Sequence, residues 1–79
     1  MPMPTILRMQ GYRFFFFSNE GHERPHVHIE SGEKYAKYWL KPVVLSKSFG
    51  YHPAELSHLR KLVEINQELF LEKWHEYFA

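Results

Sequence analysis

Residues 25–30, P-H-V-H-I-E, set two histidines one residue apart. Successive side chains of an extended strand alternate, so His26 and His28 point the same way, roughly 6.6 Å apart at ~3.3 Å per residue. Three chemistries suit that pair. Imidazoles titrate near neutrality and can serve as general acid and base in RNA cleavage. One deprotonates a ribose 2′-hydroxyl, the other protonates the leaving oxygen, and Lys37 with nearby arginines steadies the phosphate charge. Neutral imidazoles can instead ligate a transition metal, with His22 or Glu30 as a third ligand. Or the two rings hydrogen-bond and pack on Trp39. The expectation taken forward is the first, with His26, His28 and Lys37 as the catalytic set and no metal or other cofactor. His52, His58 and His75 lack such company and read as surface or cap residues.

Two hairpins must position these side chains. Thr5–Met9 and residues 12–17 flank Gln10-Gly11, whose glycine tolerates the positive φ of a tight turn. His26–Ser31 and Lys34–Leu40 flank Gly32-Glu33, which suits a type II′ link. Residues 43–45 supply a short fifth strand after Pro42. Two-residue loops fix the registers. Leu7 faces Phe14, Met9 faces Tyr12 and Thr5 faces Phe16; Ile29 faces Ala36 and Val27 faces Tyr38. One side of the sheet is therefore apolar. The other collects Arg8, Arg13, Phe15, Phe17, His26, His28, Tyr35, Lys37 and Trp39. Cations interleaved with flat rings are what a single-stranded nucleic-acid platform needs, so Arg8, Arg13, Phe15, Phe17 and Trp39 are the expected RNA contacts. A second small core or a dimer interface fits the same pattern. The loop S-N-E-G-H-E-R-P beside the histidine strand would let Asn19, Glu20 or Arg24 border a site, or is a solvated connector.

From Pro53 to about residue 78 neither glycine nor proline intervenes, and Leu56, Leu59, Leu62, Val63, Asn66, Leu69 and Phe70 recur at helical spacing. One helix of about 26 residues would be ~39 Å long, while a strand of about six residues spans ~20 Å. Its distal half, with Leu69, Phe70, Leu71, Trp74, Tyr77 and Phe78, would overhang the sheet. Homodimerisation is the economical cover for so much apolar surface, and a cognate protein partner is the other.

Composition bounds these readings. A chain of 79 residues makes one domain with a thin core. Its formal charge of +1 excludes gross nucleic-acid affinity unless the cations are segregated into a patch. The absence of cysteine excludes disulfides and thiolate metal sites and fits a reducing cytoplasm. The opening M-P-M-P-T-I-L-R-M-Q-G-Y lacks the pattern of a signal peptide, and no apolar run approaches a membrane span, so no membrane association is expected.

Six blocks together resemble the family of small stand-alone bacterial proteins called domain of unknown function 4160. They are P-T-I-L-R, G-Y-R-F-F-F-F-S-N-E, P-H-V-H-I-E, A-K-Y-W-L with Pro42-Val43, a Gly-aromatic turn, and a helix ending E-x-W-H-E-Y-F. The similarity covers nearly the whole chain. Gln10 departs from it, standing where an aspartate commonly precedes the glycine, which weakens the turn. The resemblance implies a bacterial, cytoplasmic component of a toxin–antitoxin pair with a cognate small protein partner, and it carries over no catalytic residue. The expected fold is α+β, one domain over 1–79. Strands run over about 5–45 as a four- or five-stranded antiparallel sheet, and one long helix over about 53–78 covers one face. The leading functional expectation is a toxin-like protein that binds or cleaves RNA. The alternative is a non-enzymatic protein-binding module, antitoxin or regulatory partner, using the helix and sheet face.

Overall fold

The computed structural model describes residues 5–79; the first four residues, part of the opening stretch considered above, lie outside the described residues. Five strands, β1 (Thr5–Met9), β2 (Tyr12–Phe15), β3 (His26–Ser31), β4 (Lys34–Leu40) and β5 (Val43–Phe49), form one antiparallel sheet in chain order. Two helices follow, α1 (Pro53–Ile65) and α2 (Gln67–Phe78). The fold is α+β, as the strand and helix periodicities require.

The turns set the registers. Gln10 (φ 55°) and Gly11 (φ 83°) both occupy the left-handed region, the signature of a type I′ hairpin, although glutamine fits that conformation poorly. Gly32 (φ 58°) alone is left-handed in the second turn, as type II′ geometry demands. Leu7 pairs with Phe14, Arg8 with Arg13, and Met9 with Tyr12; a bulge then sets Thr5 against Phe15 instead of Phe16. Every expected β3–β4 pair is present, from His26 with Trp39 to Glu30 with Tyr35.

Alternation gives the sheet two unlike sides. Phe14, Val27, Ile29, Ala36, Tyr38 and Leu40 are buried against Leu59, Leu62 and Val63 of α1 and Phe70 and Trp74 of α2. The Tyr38 hydroxyl donates to the Leu56 carbonyl at 2.6 Å and ties β4 to α1.

The expectation of one long helix is corrected. The helix breaks at Asn66 (φ −103°, ψ 14°), whose Nδ2 donates to the Leu62 carbonyl at 2.8 Å while its own backbone N–H reaches the same oxygen at 3.1 Å. An asparagine side chain competing for a backbone carbonyl is a known helix disruptor. The next residue anchors the bend, with Gln67 Nε2 donating to the Leu40 carbonyl at 2.6 Å. Each helix, of 13 and 12 residues, is then ~20 Å long, the length of a strand. The distal apolar residues do not overhang. Phe70 packs on Phe14 (5.3 Å between ring centroids) and Trp74 on Phe16 (5.2 Å), so these two rings are covered within the chain, while Tyr77 stays 40% exposed.

The fifth strand does not stop at residue 45. It continues to Phe49 past a bulge beside Lys37 and Tyr38, and it forms an outer edge of the sheet. Among the described residues no helix is long and apolar enough to cross a membrane.

Candidate functional site

The second side of the sheet carries the predicted residues, but it is not open. Residues 16–25 fold back across it. The segment is held by the Leu40 N–H donating to the Pro25 carbonyl (3.0 Å) and by Gly21 lying against Phe78 of α2. The Glu23 N–H donates to the Glu20 carbonyl at 3.0 Å, a turn that drops the Glu20 side chain inward.

Glu20 becomes the centre of the site. Its Oε1 lies 2.8 Å from His26 Nε2 and 2.6 Å from His28 Nε2. The far nitrogens are also fixed. His26 Nδ1–H donates to the Arg24 carbonyl at 2.8 Å, and His28 Nδ1 meets the Tyr35 hydroxyl at 2.7 Å. Aromatic rings enclose both imidazoles. Phe15 and Tyr35 stack on His28, Phe17 meets it edge-on, and His26 sits between Trp39 and Trp74. His26 and His28 are 0% and 1% exposed, whereas the Glu20 side chain keeps 19%. The route from solvent passes Glu20.

The electrostatics follow from this packing. Burial pushes the His28 imidazole below its ordinary value and outweighs the neighbouring carboxylate. Burial alone would raise Glu20, but hydrogen bonds from His26 and His28 hold its carboxyl below the usual range. The Tyr35 hydroxyl is pushed up to about 12 by burial and by Glu20 and Glu23.

The remaining predicted residues share this side, and most of them are engaged. Lys37 is buried, and its Nζ donates to Glu23 Oε1 at 2.9 Å and lies over the Trp39 ring (4.6 Å), which the Arg24 guanidinium also covers (4.2 Å). Arg13 donates to Thr5 Oγ1 (2.7 Å) and Glu30 Oε1 (3.0 Å) and lies over Phe15, itself buried. Phe17 is half-buried, and Arg8 stands exposed opposite Arg13 on β1. The expected solvent-facing platform is thus largely a second, polar core. The reason is energetic: buried cations and imidazoles need partners, and Glu20, Glu23 and Glu30 supply them.

Neither residue expected as a third partner joins the histidines. Glu30 pairs with Arg13, and His22 is exposed. Glu20 takes that place, with its oxygen and the two imidazole nitrogens within 4.8 Å of one another, donor types that can hold a metal. Sequence reading set Glu20 only at the border, because a loop's fold-back has no periodicity to reveal it. It also missed Lys47 and Phe49, which extend this side beyond Lys37 and Tyr35 by register. As arranged, both Nε2 atoms aim at one carboxylate oxygen. Cleavage by an acid and a base needs them on opposite sides of a phosphate.

Residues 11–75 match the family model described as Domain of unknown function (DUF4160), and the chain belongs to that family. No curated protein and no solved structure matches it.

Proposed function

We propose that this DUF4160 member is a non-catalytic binding module that takes an extended segment of a cognate small protein along the outer edge of β5. The observation that carries the reading is the state of that strand. Among the described residues no strand lies beyond β5, and all its residues but Val43 are exposed, including Val44 (49%) and Phe49 (70%). A long exposed edge with apolar side chains is a ready template for strand addition, in which main-chain hydrogen bonds give affinity and alternate side chains give specificity. Val44, Lys47 and Phe49 share one side, so the partner segment is apolar and acidic in alternation. Ile65, also exposed at the end of α1, adds apolar surface of the kind a protein partner covers.

The engagement of Arg13 and Lys37 by carboxylates supports protein over RNA, since these cations have already met their counter-charges. The toxin-like RNA reading keeps one specific support: Arg24 on Trp39 lies on the same side as Lys47 and Phe49. One experiment separates the two. The chain is mixed with a candidate small protein that contains an extended segment of alternating apolar and acidic residues, and amide hydrogen exchange is compared with and without that protein, then with single-stranded RNA. Slowed exchange across Val43–Phe49 with the protein, lost in Val44→Glu, supports the binding module. Slowed exchange with RNA alone, abolished in Phe49→Ala, replaces it with the nucleic-acid reading.

A further inference from the structure

We propose that Glu20, His26 and His28 bind a single divalent transition-metal ion. The first ground is donor bookkeeping. The Arg24 carbonyl can only accept, so His26 Nδ1 carries the proton of that 2.8 Å hydrogen bond. In the tautomer with Nδ1–H alone, His26 presents the Nε2 lone pair to Glu20 Oε1, also an acceptor, at 2.8 Å. Two acceptors at that distance repel unless a cation lies between them, either a proton that makes the ring an imidazolium or a metal ion on the neutral ring. His28 completes the set. Its Nδ1 faces a hydroxyl, which accepts as readily as it donates, so the tautomer with a free Nε2 lone pair is available toward the same oxygen.

The second ground is the surrounding shell. A metal-bound imidazole usually donates its other N–H to a carbonyl, carboxylate or hydroxyl that fixes ring orientation, and here both rings have such a partner. Stacked and edge-on aromatic rings orient the imidazoles further, so both Nε2 atoms face the same Glu20 oxygen before any ion arrives.

The donor set selects the ion. Two imidazoles and one carboxylate suit zinc and its first-row neighbours, while magnesium and calcium favour oxygen ligands throughout. Tetrahedral bonds of ~2.1 Å separate donor atoms by roughly 3.4 Å. The Glu20 oxygen lies 2.6 and 2.8 Å from the two nitrogens and the three donor atoms fall within 4.8 Å of one another, so binding asks Glu20 to withdraw and the two imidazoles to close toward each other. Glu20 is also the member that meets solvent, so the ion enters past it to the two buried imidazoles.

The test uses the full chain, stripped of metal and titrated with cobalt(II) as a spectroscopic probe and with zinc(II). The proposal expects one equivalent of cobalt bound, with visible bands of low-symmetry nitrogen and oxygen ligation that zinc abolishes. It expects Glu20→Gln to weaken binding by at least about tenfold and Tyr35→Phe to weaken it by a smaller factor. His22→Ala should bind like the parent. If Glu20→Gln folds poorly, imidazole nitrogen NMR on the parent decides. His26 and His28 resonances should shift with zinc while those of His22, His52, His58 and His75 hold still. Stoichiometric binding that survives Glu20→Gln, shifts confined to the surface histidines, or no binding of either ion would overturn the proposal.

Discussion

A Cβ placed on Gly21 would lie 2.6 Å from Cδ1 of Phe78 and 3.2 Å from its Cβ. The loop that lowers Glu20 onto the histidines is thus seated against the last turn of α2, and the seat fits only a glycine. Gly21→Ala should force the loop or the helix end to shift and cost about 1–3 kcal/mol, as overpacking does. Phe78→Ala removes the obstacle. In a double-mutant cycle read by urea unfolding, the alanine at position 21 should cost far less in the Phe78→Ala background. Equal cost in both backgrounds would mean that the loop does not rest on α2.

Glu20 satisfies two buried imidazoles with one oxygen. In metal-free protein, Glu20→Ala should destabilise the fold by about 1–3 kcal/mol, the penalty of leaving buried polar groups unpaired. Glu20→Gln, which keeps one acceptor, should cost less. Asn19→Ala, next to it but exposed, serves as the control and should be near neutral. A Glu20→Ala variant with unchanged urea midpoint would show the loop to be detached from the histidines in solution.

Gln10 is the only described non-glycine residue in the left-handed region, and it occupies the first central position of the β1–β2 turn. Asparagine tolerates that conformation better, so Gln10→Asn should stabilise the protein by about 0.5–1 kcal/mol. The Gln10 side chain also accepts from His58 at 2.7 Å. That contact is exposed, and its loss should subtract only a fraction of the gain. Thermal unfolding settles the sign.

The sheet was legible because turn chemistry and alternation are local. Gly32 fixes one register, Gly11 the other, and with them the partition of Phe14 from Phe15 and of Val27 from His26 and His28. What escaped reading depends on non-local choices. The break at Asn66 appears as one polar residue in an apolar stripe, and only the Leu40 carbonyl waiting for Gln67 makes a bend there favourable. Accordingly, Phe70 and Trp74 became core rather than overhang. Glu20 escaped for a similar reason: its six-residue separation from His26 says nothing about direction until residues 16–25 have folded back. Charge pairing followed that fold-back, which is why Lys37 and Arg13 are neutralised where an open platform was expected.

Tyr12, Tyr35, Tyr38 and Tyr51 couple the fold to alkaline pH, since all four hydroxyls are raised above their ordinary value. Tyr12 is pushed up to about 12 first by its hydrogen bond to Glu55, while Tyr35 and Tyr38 are pushed to about 12 first by burial. An unfolded tyrosine ionises near ~10. Between those values the unfolded chain loses protons that the folded chain retains. The stability these groups contribute is therefore complete below about pH 10 and is lost as pH rises toward 12. Urea midpoints measured across that window should fall progressively, and tyrosinate absorbance in native protein should lag that of denatured protein. Tyr38→Phe should flatten part of the decline, since it removes one of the coupled protons, at the cost of the hydroxyl's bond to the Leu56 carbonyl. Native and denatured tyrosinate curves that coincide would mean that these hydroxyls are open to water and that the packing around Tyr35 and Tyr38 is looser than the distances require.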